Sequence, residues 1–210
     1  MKRDYAMRWL FFVIGLMVIG LGVALTIRGK NYGLGSWDVF HMGLFYHFGL
    51  SVGTWSIIVG LTIIILTALI LKQLPRIGTF CNMLVTGVFI DVFNNILPTD
   101  VEGMLLQGVY FVAGTVLIGA GCAIYVSANL GAGPRDSLML IMVDKLKFSI
   151  TVARTLMEVF AAGLGFAMGG PIGIGTVIMV FVLGPVIQFF LPLCQKTLAK
   201  CLQSGNVIYK

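Results

Sequence analysis

Apolar residues run along this chain in long, nearly uncharged blocks, broken by short polar stretches rich in glycine. Six blocks, at about 9–27, 52–71, 77–97, 104–126, 152–168 and 174–193, approach or exceed the roughly 20 residues that a helix needs to cross a bilayer. Two segments, 36–49 and 134–147, are shorter and less apolar. At about 1.5 Å per residue each rises only ~21 Å, short of a ~30 Å hydrocarbon core. The pattern predicts an all-α membrane protein with six long helices and two short ones.

The order long, short, long, long occurs twice. In the first long helix of each set, Gly15 aligns with Gly114, Gly20 with Gly119, Gly22 with Gly121 and Ala24 with Ala123. Then Gly33-Leu34-Gly35-Ser36-Trp37-Asp38 recurs as Gly131-Ala132-Gly133-Pro134-Arg135-Asp136, and Ser51 matches Ser149. Further on, Gly78-Thr79 pairs with Gly175-Thr176, Gly87 with Gly184 and Ile90 with Ile187; both sets close on Leu-Pro, at Leu97-Pro98 and Leu191-Pro192. The register drifts only in loops, as a duplication leaves it. One membrane domain thus divides into tandem repeats 1–98 and 99–210, the second ending in a cytoplasmic tail, 194–210.

If the short helices are re-entrant or half-membrane, each repeat has three transmembrane helices and the repeats are inverted (3+3). If they cross, the chain has eight full spans as parallel 4+4 repeats. With a cytoplasmic N-terminus the first arrangement puts twelve of the fourteen Lys/Arg inside, leaving Arg28 and Lys30 outside with the acidic Asp100/Glu102 loop. The second moves Lys72, Arg76 and Arg135 outside. The positive-inside rule favours 3+3, with both termini cytoplasmic.

Composition agrees: 59% of residues are hydrophobic, 10% are charged, and the mean hydropathy is +1.02, which excludes a soluble domain. The net charge of +6 is spread over both halves and suits anionic lipid headgroups better than nucleic acid, since no basic stripe with interleaved aromatics occurs. Lys2, Arg3 and Arg8 before an apolar run imitate a signal peptide, but that run is long and its pattern returns mid-chain. The four cysteines (Cys81, Cys122, Cys194, Cys201) have no metal or redox spacing, and a disulfide framework is not expected. Walker, HExxH, GxSxG and CxxC motifs are missing; no enzyme activity, cofactor or metal is expected.

Candidate chemistry lies in the few polar residues of the apolar frame. Pro134 suits N1 of the second short helix, making Gly133 its N-cap and Asp136 its N3 residue. Asp38 takes N3 of the first, after Gly35. An N3 carboxylate can reach back to the free N-cap amide and sits well at the positive end of the helix dipole. Alternatively, Gly33, Gly35, Gly131 and Gly133 expose backbone groups beside Asp38 and Asp136 at mid-depth, forming a site for a cation, a proton or a polar solute. His41 shares a face with Asp38, either as a proton relay or as a histidine bonded to a backbone carbonyl. Arg154 and Glu158, four residues apart, form an internal ion pair or gate or bind solute. Asp91 faces the bundle interior or the outer water boundary. The glycines of the first and fifth helices serve close packing.

The Gly-Leu-Gly-Ser-Trp-Asp-Val motif from Gly33, the Gly49-Leu50-Ser51-Val52-Gly53-Thr54 turn and Ile77-Gly78-Thr79 together resemble the YczE/YyaS/YitT family of bacterial multi-pass membrane proteins, closest to its YczE branch, over nearly the whole chain. The resemblance implies about six spans, a bacterial plasma membrane and a transporter-like description, and supplies no catalytic residues. Two functions follow as expectations: a secondary transporter or channel for a small polar or cationic solute, or a non-transport accessory or assembly protein that binds another membrane component. The expected partners are the lipid bilayer and a small solute or ion, with a homo-oligomer or a membrane partner protein also open.

Overall fold

The computed structural model describes residues 2–99, 101–131 and 133–207, with side chains for all of these except 2, 150, 151 and 203–207. Ala132 of the second motif, Asp100 and the last three residues of the expected tail lie outside the described residues. The chain forms α1 (Lys2–Arg28), a 3-10 turn (Lys30–Tyr32), α2 (Ser36–Phe48), α3 (Val52–Leu71), α4 (Ile77–Ile96), α5 (Met104–Ala128), α6 (Pro134–Leu146), α7 (Ile150–Ala167) and α8 (Ile174–Val207). Among the described residues there is no strand. Five helices are long and apolar enough to cross a membrane: α1, α3, α4, α5 and α8. The expected sixth span, α7, is 18 residues long and carries Arg154 and Glu158, and it is not among the five.

Two ends differ from expectation. α1 starts at Lys2, because Arg3 to Arg8 are ordinary helix formers with no breaker among them. α8 runs through Leu191-Pro192 to Val207, absorbing most of the expected tail, whereas Leu97-Pro98 does end α4. Past Pro98 come Thr99 and a glycine at 103; past Pro192 come Leu193, Lys196, Leu198, Ala199, Lys200 and Leu202, which sustain a helix beyond one lost hydrogen bond.

At the centre α1 and α5 lie antiparallel. A Cβ on Gly15 would stand 2.8 Å from the Gly121 carbonyl oxygen, and one on Gly121 would stand 2.7 Å from that of Gly15. Gly22 and Gly114 repeat this exchange at 2.8 and 2.6 Å. In lipid no hydrophobic effect presses helices together, so close backbone approach at small residues supplies the contact. Each central helix also carries an outer one: Gly20 of α1 abuts Phe89 and Ile90 of α4, and Gly119 of α5 abuts Val186 and Ile187 of α8. The large exposed apolar side chains, among them Leu69, Ile77, Leu105 and Phe181, form the surface offered to acyl chains.

The outer helices are not packed alike. α3 lies on α4, with Gly53 against the Gly87 carbonyl and Gly60 against Met83. α7 makes no comparable contact with α8, and a Cβ on Gly184 would meet nothing within 4 Å. Residues aligned with Ser56 and Gly60 are Arg154 and Glu158, too bulky and charged for such a seam. Instead α7 packs on α2, where Gly165 touches the backbone of Val39 and Phe40.

Candidate functional site

Each short helix is entered through an extended glycine arm. Gly33, at φ +101°, lies so close to the start of α8 that a Cβ would sit 2.5 Å from Thr176 Oγ1 and 2.6 Å from the Gly173 nitrogen. That backbone region favours glycine, and the space admits nothing larger. Gly131 lies in the same way against Gly78 and Thr79 at the start of α4. Both glycines thus seat the arms and do not line the cavity described next.

The arms deliver the N-termini of α2 and α6 to one cavity of about 440 Å³. Gly35, Asp38 and His41 reach it from α2 and its cap, Gly133 and Asp136 from α6 and its cap, and Arg154 and Glu158 from α7. Seven of the ten residues singled out in the sequence therefore share one wall system. Apolar side chains, including Ile63, Met83, Ile118, Met157 and Met179, complete it.

Gly35 and Gly133 are the N-caps and Pro134 begins α6, as the spacing predicts. The carboxylates turn back toward their caps, with Asp38 Oδ2 3.0 Å from where a Gly35 Cβ would stand and Asp136 Oδ2 3.5 Å from that of Gly133. Yet among the described residues no hydrogen bond joins Asp38 or Asp136 to its N-cap amide. Asp136 Oδ2 accepts a hydrogen bond from the Tyr125 hydroxyl at 3.0 Å. Asp38 is 7% exposed and its Oδ1 lies 3.7 Å from His41 Nδ1, beyond hydrogen-bond range. His41 is 1% exposed, and neither ring nitrogen has a hydrogen-bond partner, so it is not tied to a backbone carbonyl. An unsatisfied buried polar atom costs about 1–3 kcal/mol. Two on one ring make His41 a costly residue for the fold.

No ion pair joins Arg154 to Glu158 among the described residues. With Arg preceding Glu, the i,i+4 order is the weaker one, opposed to the helix dipole. The Arg135 guanidinium stands 4.8 Å from the centre of the Trp37 ring. Such a cation–π contact contributes about 0.5–2 kcal/mol and leaves the guanidinium donors free. Arg135, Trp37, Tyr125 and Asn82 were not legible as site residues one at a time. In the sequence alignment of the two halves Trp37 and Arg135 stand at matching positions, as do Asn82 and Met179 of the cavity wall.

Asp91 is elsewhere. Its Oδ1 accepts the Gly53 amide at 2.9 Å, and its Oδ2 accepts the Ser51 hydroxyl. Ser51 in turn caps α3 by accepting the Thr54 amide at 3.0 Å. Asp91 thus ties α4 to the positive end of α3. Its counterpart Gln188 is exposed, and Ser149 caps α7 through Val152 without such a tie. Asp144 and Lys145 are exposed edge charges, as their position at the end of a short helix suggests.

Apolar spans around a charged internal cavity define an integral membrane protein. Residues 6–192 match a family of unknown function (DUF6198), and the chain belongs to it. It is 45% identical over 194 residues to "Uncharacterized membrane protein YczE" of Bacillus subtilis (strain 168), covering 91% of this chain and 89% of that one. Over 192 residues it is 30% identical to "Uncharacterized protein YyaS" of the same organism, covering 90% and 95%. An "Uncharacterized protein" of Haemophilus influenzae (strain ATCC 51907 / DSM 11121 / KW20 / Rd) is 33% identical over 181 residues, covering 85% and 81%. No solved structure matches the chain.

Proposed function

We propose that this protein is a secondary transporter or channel for a small polar or cationic solute, held between the N-termini of α2 and α6. One observation carries the reading: among the described residues both N3 carboxylates, with no hydrogen bond to their cap amides, line one cavity together with a buried histidine whose two nitrogens lack partners. Intramembrane acids are expensive in hydrocarbon and typically mark solute or ion paths. Helix N-termini brought to mid-depth by broken segments are a recurring transporter device.

In this reading the halves are inverted 3+3 repeats in a bacterial plasma membrane, with half-membrane helices α2 and α6 and cytoplasmic termini. The antiparallel α1 and α5, with their reciprocal glycine contacts, support inversion over parallel repeats. The closed α3–α4 seam and the parted α7 and α8 supply two states for equivalent elements. Exchanging these states would move the opening of the cavity from one half to the other.

The test is a thermal-shift screen of purified protein against metabolites and ions, with flux of each hit measured in proteoliposomes. Ligand stabilisation grows with concentration over Kd, so weak binders register at high concentration. Asp38→Asn and Asp136→Asn are expected to abolish flux while leaving folded protein in the membrane. Unchanged flux in both overturns the site. A stoichiometric membrane partner that co-purifies, with both variants fully functional, would favour the accessory role.

A further inference from the structure

We infer that the solute is a small zwitterion of amino-acid type, carrying an ammonium, a carboxylate and an apolar side group. This rests on the cavity being a solute site. Its lining holds three carboxylates (Asp38, Asp136, Glu158) and two guanidiniums (Arg135, Arg154). Among the described residues none of these five pairs with another: Asp136 has only a tyrosine hydroxyl, Asp38 only the nearby imidazole, and Arg135 only an indole face. Asp38 is buried, Arg135, Asp136 and Glu158 are half-buried, and Arg154 stands exposed at the cavity's edge. Charges of both signs around one cavity without mutual pairing offer complements to a ligand that carries both. A simple cation leaves the guanidiniums unmatched; a simple anion leaves the carboxylates unmatched. His41, at 1% exposure and with both nitrogens unpartnered, adds a buried polar side chain to the wall beside Asp38. Tyr125 and Asn82 near Gly133 make one corner of the cavity polar, while Met179, the counterpart of Asn82, stands near Gly35. The apolar side group belongs on the methionine side.

Purified wild-type protein is titrated in a thermal-shift assay with three skeletons, alanine, leucine and phenylalanine. Each is supplied as the amino acid, as its amide and as the corresponding acid lacking the amine. The expected result is saturable stabilisation by at least one amino acid, with its amide and its des-amino acid weaker by on the order of tenfold or more. Arg154→Gln, at an exposed position on the cavity's edge, is expected to erase discrimination against the amide while its ligand-free melting temperature stays near wild type. Where that variant does not fold, the wild-type titration decides alone. Stabilisation by an amide or a des-amino acid equal to that of the amino acid overturns the zwitterion, as does a flat response to all nine probes. Flux of a singly charged solute that requires Asp38 and Asp136 would leave the transport reading standing while this inference falls.

Discussion

Asp38, His41 and Asp91 are polar residues in apolar helices, and their neighbours assign them different roles. Asp91 closes the cap of α3 through Ser51 and Gly53. Asp91→Ala is therefore expected to lower stability by about 1–3 kcal/mol, because it strands a helix-end amide and a hydroxyl, with ligand binding in the cavity unchanged. Thermal unfolding with and without a bound ligand measures both. His41 has the opposite balance. Its repeat counterpart is Met139, and His41→Met removes two buried, unpartnered nitrogens. The ligand-free melting temperature of that variant is expected to equal or exceed wild type, while solute binding is lost. A lower melting temperature would mean that the ring already has partners. The spacing of Asp38 and His41 was legible in the chain, since i,i+3 fixes a shared helical face. The role of Asp91 was not, because its partners on Ser51 and Gly53 lie about forty residues away in sequence.

Among the elements, the α1–α5 pair bears the strictest demand. Gly22 lies against the Gly114 carbonyl and Ile118, and a side chain there must push the two central helices apart. Gly22→Val is expected to destabilise the fold by about 1–3 kcal/mol or more as overpacking, read from thermal unfolding of purified protein. The same substitution at Gly184, with open space around its Cα, is expected to cost far less. Helix identities and most boundaries were readable from apolar block length, as with α3 at Val52–Leu71. The end of α8 was not. Leu-Pro stops α4 and is carried within α8, because the residues that follow decide whether a helix outlasts one missing amide. The parted α7 and α8 were also hidden, although Arg154 and Glu158 at the places of Ser56 and Gly60 were the visible cause.

At the scale of the molecule, repeat register and charge count make one topological claim. Gln73 and Glu102 are both exposed, in loops that the inverted 3+3 arrangement places on opposite sides of the membrane. In intact cells an impermeant maleimide is expected to label Glu102→Cys and to spare Gln73→Cys; eight full spans would reverse that pattern. Trp37 and Arg135, matched in the sequence alignment of the halves, touch each other, and that contact is not legible from either half alone. Ser56, the counterpart of Arg154, lines the cavity with a small side chain that replacement by cysteine preserves in size. The most direct test of the cavity as a transport site uses Ser56→Cys in a chain whose four native cysteines are serine. Right-side-out and inside-out vesicles are treated separately with the impermeant maleimide. Alternating access or an open path predicts labelling from each side; labelling from one side only, or from neither, would contradict it.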